Sequence, residues 1–542
     1  MSVAGYRAAC SRGVCGLALL WALSAPASAQ ERQWIGEFTA GGPSTPLTLH
    51  ERASEKSVAS TVDLPSIGAR EVPLTQFSAT GDRVEFQLDG PPGRFVFSGQ
   101  RRDGQLVGHV VHGEAKGSFT LVEVLPPDPA LARAYTGSYE VAPGQVIDIG
   151  PMDEAGGLLV FLDHKTLHEG PLYALSATKF ASGPTIAIAY PFAIHVEFQR
   201  DSEGAATGMR WQEAGKHVSA HKIAPHRIED VTVRNGDAVL KGTLMLPDTP
   251  GPHPAVVFAH GSGDATRNVA IWNPYFVRLG MAVLSLDKRG AGKSTGDWRT
   301  ASMDDIAGDW LAGVEMLKQR TDIDSRRIGV HGSSQGGWTA PLMAARSKDI
   351  AFVIVRAGSG VSVSDTMAHE IAWSAREGGL AEADALAAEA AARTMFDFAS
   401  RDAASTDIAA FVASQEGKPW ASHVWPLQWS LDGWGKPWAK KNNAYDATES
   451  LRKTPVPVLW FLGELDHNVP TEASERALLA ALRESVHPDF RVVRLPGTGH
   501  SFLASDTGNN ADIAKQSHMV DGYWSAMEAW LRARIDSVSR CI

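Results

Sequence analysis

The chain has 542 residues, of which 44% are hydrophobic, 21% charged and 8% aromatic, a composition that excludes a disordered, collagen-like or multi-span membrane protein. Its 51 basic residues face 61 acidic ones, a formal net charge of −10, so no whole-chain basic footprint exists for nucleic acid or an anionic membrane. At roughly 150 residues per domain the length allows about three domains.

Arg7 and Arg12 precede an apolar run, Gly16 to Leu23, that is too short to span a bilayer, and Ala27-Ser28-Ala29 follows as a small-residue cleavage signal. This order of blocks predicts a secretory signal peptide over 1–29, cut after Ala29. The mature chain is then expected in the periplasm or outside the cell, with no transmembrane anchor. Cleavage removes two arginines and no acid, taking the charge from −10 to −12, and it removes Cys10 and Cys15. Cys541 alone remains, so neither an internal disulfide nor a thiolate metal site is expected.

From Glu31 to about Ile223, short apolar and alternating runs such as Gly93 to Ser98 and Leu158 to Leu162 are separated by turn residues, which reads as all-β. The segment echoes itself. Trp34-Ile35-Gly36-Glu37-Phe38 returns 101 residues later as Tyr135-Thr136-Gly137-Ser138-Tyr139, and Arg102-Asp103-Gly104 with Gly108 returns as Arg200-Asp201 with Gly204 and Gly208. Two small β modules are expected, 30–125 and 130–225, joined at the Pro-rich stretch Pro126 to Ala130.

After His226, β-rich runs alternate with helical ones, as in a mostly parallel sheet with helices on both faces. An opening hairpin is expected around Asn235-Gly236. Buried strands then follow at Ala255 to Ala259, Ala282 to Leu286, Arg327 to His331, Ala351 to Arg356, Val456 to Leu462 and Phe490 to Leu495. The gap over 361–450, with its Ala-rich stretch Leu380 to Met395 and Trp-dense tail, is too long for a structureless loop and is expected to be an inserted helical cap. The fold class is therefore multidomain: two all-β modules, then an α/β domain over 226–542.

Gly332-Ser333-Ser334-Gln335-Gly336 follows a buried strand and precedes a helical run, the setting that a G-x-S-x-G nucleophile elbow requires. The sharp turn lifts the Ser334 hydroxyl above the sheet, and glycines two before and two after avoid backbone clashes. Asp466, in Gly463-Glu464-Leu465-Asp466, and His500, in Gly497-Thr498-Gly499-His500, follow the last two strands, at the sheet edge where open α/β sheets bind ligands. The order serine, acid, histidine gives Ser334 as nucleophile, His500 as base and Asp466 as its orienting acid, with Glu464 as the fallback acid. Upstream, His260-Gly261-Ser262-Gly263 ends the first buried strand. One oxyanion donor is assigned to Gly261, Ser262 or Gly263, and the other to the N–H of Gln335.

Together with Asp287-Lys288-Arg289-Gly290-x-Gly292-Lys293-Ser294, these blocks resemble the α/β-hydrolase superfamily over about residues 226–540. They are similar in particular to exported bacterial serine esterases and to dienelactone-hydrolase-like or prolyl-oligopeptidase-like relatives; the β modules resemble, more loosely, accessory domains of exported hydrolases. The resemblance implies an exported serine hydrolase of carboxyl esters, acting on a small-molecule ester or a short peptide. A serine peptidase with the same triad, or an envelope binding protein with an inactive hydrolase domain, are the alternatives. No cofactor, metal or nucleic acid is expected. Gly292-Lys293-Ser294 ends like a phosphate loop but has Asp287 where the first glycine belongs, and His369-Glu370 begins like a zinc helix but has Trp373 where the second histidine belongs. Trp420, Trp425, Trp429, Trp434 and Trp438 are candidates for an aromatic or acyl pocket, or for plain core.

Overall fold

The computed structural model describes residues 32–52, 60–65, 69–90, 93–424, 435–487, 489–509, 512 and 515–535. The expected leader, Trp425, Trp429, Trp434 and Cys541 lie outside them. The described residues fall into two compact units: one ends at Ile223 and takes in Asn510–His518, the other runs Ala224–Asn509 and resumes at Met519.

The first unit is almost wholly β. Strands β1 (Arg32–Thr39), β2 (Thr45–Glu51), β3 (Thr61–Leu64), β4 (Ala69–Pro73), β5 (Gln76–Thr80), β6 (Arg83–Gly90), β7 (Gly93–Arg102), β8 (Gln105–His112) and β9 (Ala115–Val124) make one antiparallel sheet in the order 4-3-2-1-9-8-7-6-5. Helix α1 (Pro129–Tyr135), capped by Asp128, leads into a closed antiparallel barrel. Its strands are β10 (Gly137–Ala142), β11 (Gln145–Pro151), β12 (Leu159–Asp163), β13 (Glu169–Ala174), β14 (Lys179–Ser182), β15 (Ile194–Arg200), β16 (Ala206–Glu213) and β17 (Lys216–Ile223). The sequence echoes fall on corresponding places. Both aromatic-x-Gly-x-aromatic segments lie at the start of a sheet that pairs its first strand with its last, and both Arg-Asp turns join the third-last strand to the second-last. Both interiors are filled by side chains: Phe86 stacks on Phe97 at 4.3 Å, and in the barrel Tyr135 stacks on Phe198 at 3.9 Å.

Residues 510–518 belong to the β-rich unit, where the Glu169 N–H donates to Ser517 O and the Ile186 N–H to Gln516 O, both at 2.8 Å. Backbone pairing of this kind needs no apolar periodicity, so the sequence carries no signal for it.

The second unit holds a sheet in the order 18-19-21-20-22-23-24-25. A hairpin of β18 (His226–Asn235) and β19 (Ala238–Pro247) turns at Gly236. It joins β20 (His253–Ala259), β21 (Ala282–Leu286), β22 (Ile323–Ser333), β23 (Val353–Arg356), β24 (Val458–Gly463) and β25 (Phe490–Leu495), which pair in parallel. β20, β21, β23 and β24 are buried along their whole length, which is why their sequences are uniformly apolar. Helix α2 (Trp272–Arg278) follows β20. Helix α3 (Met303–Lys318) opens on a Ser302/Asp305 capping box and adds Ile306, Trp310, Val314 and Leu317 to the core. Helix α4 (Gly336–Arg346) follows β22 directly. Between β23 and β24 come α5 (Val363–Glu377), α6 (Glu382–Ser400), α7 (Ser405–Ser414), α8 (Gly435–Asn442) and α9 (Thr448–Lys453); α10 (Thr471–Arg483) and α11 (Tyr523–Ile535) close the unit. Among the described residues no helix is long and apolar enough to cross a membrane.

Candidate active site

Ser334 turns the chain between β22 and α4 with φ at +52°, a left-handed conformation that costs a non-glycine residue about 1–3 kcal/mol and recurs at functional turns. Its N–H donates to Arg356 O at 2.9 Å, and its carbonyl accepts the Gly337 N–H at 2.8 Å. The flanking glycines are obligatory: a Cβ on Gly332 would stand 2.4 Å from Gly336 O, and one on Gly336 2.2 Å from Ala259 O.

His500 Nε2 lies 3.1 Å from Ser334 Oγ, and His500 Nδ1 lies 2.9 Å from both oxygens of Asp466. Asp466 is buried, and its Oδ1 also accepts the N–H groups of Asn468 at 2.9 Å and Val469 at 3.0 Å. Burial alone pushes its carboxyl up. The charge and hydrogen bond of His500, the neighbouring His467 and the Val469 N–H outweigh this and hold it below the usual carboxylate range. An ionised Asp466 only accepts, so His500 Nδ1 carries the proton and Nε2 is left to accept from the Ser334 hydroxyl. The two loops are stitched together: the Glu464 N–H donates to Leu495 O at 2.9 Å and the Leu465 N–H to Thr498 O at 2.8 Å. Glu464 itself turns to the Gly497 N–H at 2.9 Å and is not the acid that meets His500.

The loop after β20 runs against Ser334. A Cβ on Gly261 would lie 3.4 Å from Ser334 Cβ and 3.9 Å from its Oγ, and Gly263 takes φ at +81°. Beneath the loop, His260 Nε2 donates to Leu286 O at 2.7 Å, and burial pulls this imidazole down to about 4. Most of the 287–294 block builds its own loop. Asp287 takes Arg267 through both carboxylate oxygens and accepts the Lys293 N–H, Ser294 Oγ donates to Asp287 O, and Arg289 pairs with Asp309 at 2.6 Å. Lys288 turns the other way, to Gly261 O at 3.0 Å and Gln335 Oε1 at 2.5 Å.

Several neighbours carry no site role in the sequence reading. Arg356, buried, donates to Ser333 Oγ at 3.1 Å and lies over the rings of Trp272 and Phe502. From α5, Glu370 accepts from Asn468 Nδ2 at 2.9 Å, and burial pushes its carboxyl above the usual range. His369, Trp373 and His467 form a row of rings ending 6.3 Å from His500. Trp338 Nε1 donates to Val361 O and Tyr445 Oη to Trp338 O, each at 3.1 Å. Of the five candidate pocket tryptophans, the two described ones are Trp438, which belongs to the core, and Trp420, which is partly buried against that core.

The mostly parallel sheet, the elbow after β22 and the acid and histidine loops after β24 and β25 make the second unit an α/β-hydrolase domain. Residues 235–493 match the family model of the X-Pro dipeptidyl-peptidase (S15 family). Esterase EstD of Thermotoga maritima is 31% identical over 167 residues, 29% of this chain and 39% of that protein. The quorum-quenching protein AidA of Acinetobacter baumannii is 31% identical over 143 residues, 26% of this chain and 46% of that protein. The chain thus spans less than half the length of these curated relatives. Among solved structures, an esterase of Pyrococcus furiosus is similar at 17% identity and a TM-score of 0.37, covering 57% of this chain and 92% of its own.

Proposed function

We propose that the chain is an exported serine hydrolase that cleaves carboxyl esters through an acyl-serine intermediate. The observation that carries this reading is the order of contacts, Ser334 Oγ to His500 Nε2 and His500 Nδ1 to Asp466, with the base in the middle. Ser334 Oγ attacks the acyl carbonyl while its proton passes to His500 Nε2. The carbonyl oxygen becomes an oxyanion facing the Gly261–Gly263 loop and the Gln335 N–H, and Asp466 stabilises the imidazolium. Collapse breaks the ester bond, the alcohol leaves with the His500 proton, and a water activated by the same nitrogen then releases the acid. Helices α5 to α9 act as a cap over Ser334, a reading supported by the Trp338, Tyr445 and Glu370 bonds that tie them to α4 and the acid loop. Export is tested by N-terminal sequencing of the secreted chain, with Gln30 expected first.

The test is nitrophenol release from short-chain nitrophenyl esters by the wild type and by Ser334→Ala, with a fluorophosphonate label read by intact mass. Serine-dependent turnover and one label on Ser334 are expected; absence of both in the wild type would overturn the reading. A peptidase reading is favoured by the S15 family match alone. Cleavage of aminoacyl arylamides with no preference for esters would decide for it.

A further inference from the structure

Within the serine-hydrolase reading, on which this rests, we infer that Lys288 is a positioning residue for the oxyanion site, its one nitrogen fixing both strands of the donor pair. The lysine is 1% exposed, and its Nζ donates to Gly261 O at 3.0 Å and Gln335 Oε1 at 2.5 Å. Neither partner is a carboxylate. Burying an ammonium without an opposite charge in contact is costly, and burial lowers this one to about 7. A methionine or leucine would fill the space without that cost, so the contribution of Lys288 lies in what only a cation or donor can do there: its two hydrogen bonds and its place 5.3 Å over the Trp298 ring.

Those bonds act at the right place. In a planar trans peptide the Gly261 carbonyl and the Ser262 N–H point in opposite directions. Drawing Gly261 O down to Nζ therefore turns the Ser262 N–H to the opposite side. The loop so oriented is the one that approaches Ser334, since a Cβ on Gly261 would fall 3.9 Å from Ser334 Oγ. The second bond holds the side chain of Gln335, the residue whose N–H stands at the open first turn of α4, where such groups lack an intrahelical partner. Both bonds survive loss of a proton, because a neutral amine keeps two N–H donors. Asp287, Arg289 and Ser294 turn to Arg267, Asp309 and the block's own backbone, so Lys288 is the member that couples that block to the chemistry.

The experiment uses the full chain and Lys288→Met, which keeps the length and lacks a donor. Active sites are counted by fluorophosphonate labelling, so that kcat is per competent serine. Removing an oxyanion donor outright costs about a hundred- to a thousandfold in rate; misaligning the pair is expected to lower kcat about ten- to a hundredfold with KM nearly unchanged. The inhibition constant of a trifluoromethyl ketone, which forms the tetrahedral adduct, is expected to rise by the same factor, while that of the product acid stays put. A kcat within twofold of wild type, or a loss wholly accounted for by unlabelled protein, would overturn the role. Should Lys288→Met fail to fold, Gln335→Met removes one of the two acceptors and keeps the backbone donor; an unchanged kcat there would overturn the role equally. A wild type with neither turnover nor label overturns the hydrolase reading and this inference together, whereas an active wild type beside an unaffected variant overturns only the lysine.

Discussion

The same three residue types meet twice in this chain, once in the barrel and once in the hydrolase domain, with opposite consequences. In the barrel the buried carboxylate of Asp148 stands in the middle, accepting from Ser138 Oγ at 2.5 Å and facing His164 Nε2 at 2.6 Å. Ser138 donates its hydrogen bond to a carboxylate directly, which fastens β10 to β11 and offers the hydroxyl no imidazole base. In the hydrolase domain the histidine stands in the middle, so an imidazole nitrogen meets the hydroxyl and the carboxylate acts through the ring. The surroundings differ as well. Asp148 sits on the regular β11, whereas Ser334 is held at positive φ above a sheet edge, with Lys288, Arg356, His260 and His331 buried nearby. Order of contact and local strain, rather than the residues themselves, separate a structural cluster from a candidate active site.

Substitution at matched positions gives the sharpest way to break this comparison. Ser334→Ala is expected to reduce ester turnover on the order of a millionfold, the scale at which a triad serine acts. Ser138→Ala should leave kcat/KM within twofold and lower stability by about 1–3 kcal/mol, because Asp148 loses a buried donor. Next in size, Asp466→Asn presents an amide where His500 needs an acceptor and is expected to lower kcat on the order of ten-thousandfold. Asp148→Asn should lower Tm and spare kcat. Turnover assays beside calorimetry on all four variants decide the matter, and a barrel variant that abolished turnover while folded would erase the distinction.

Much of the site was legible because its parts obey local rules. Gly332 and Gly336 announce a turn in which a Cβ collides with backbone, Asp466 follows the buried apolar β24 by a few residues, and His500 follows β25, which as the edge strand is only partly buried rather than buried as expected. What the sequence could not order was Lys288 and Arg356. Both sit at strand exits beside acidic or glycine-rich neighbours, and nothing local says which way a long cationic side chain turns. The sheet order was hidden too, since the swap of β20 and β21 depends on a crossover rather than on either strand's composition. Gln516 and Ser517 bond to the β-rich unit through their backbone carbonyls, which leave no side-chain pattern to read, and the stacking of His518 on His168 joins residues 350 apart in the chain.

The smallest expected effect concerns the electrostatic half of the comparison, the buried groups beneath the site. Burial lowers His260 to about 4, and burial with Arg356 beside it lowers His331 to about 3, against 6.5 for each when unfolded. Between these values the unfolded chain takes up protons that the fold refuses. Each histidine's contribution is therefore whole above pH 6.5 and is lost as pH falls toward 4 and 3, at up to about 1.4 kcal/mol per pH unit. Asp466, held below its ordinary 3.8, adds stability above that value and loses it on further acidification, so it governs a more acidic window. The interval from pH 7 to pH 5 thus leaves Asp466 out, and comparing the wild type with a His331 variant removes the contributions that the other buried groups make in both proteins. In His331→Phe the ring can keep its stacking on Phe258 and forgoes the hydrogen bond to Tyr523 Oη, so the variant starts less stable at pH 7. Its fall in Tm between pH 7 and pH 5 is nevertheless expected to be smaller than the wild type's, because one proton-refusing group is gone. Equal slopes in the two proteins would mean that His331 protonates within the fold as readily as outside it, and that burial beneath Ser334 does not exclude charge.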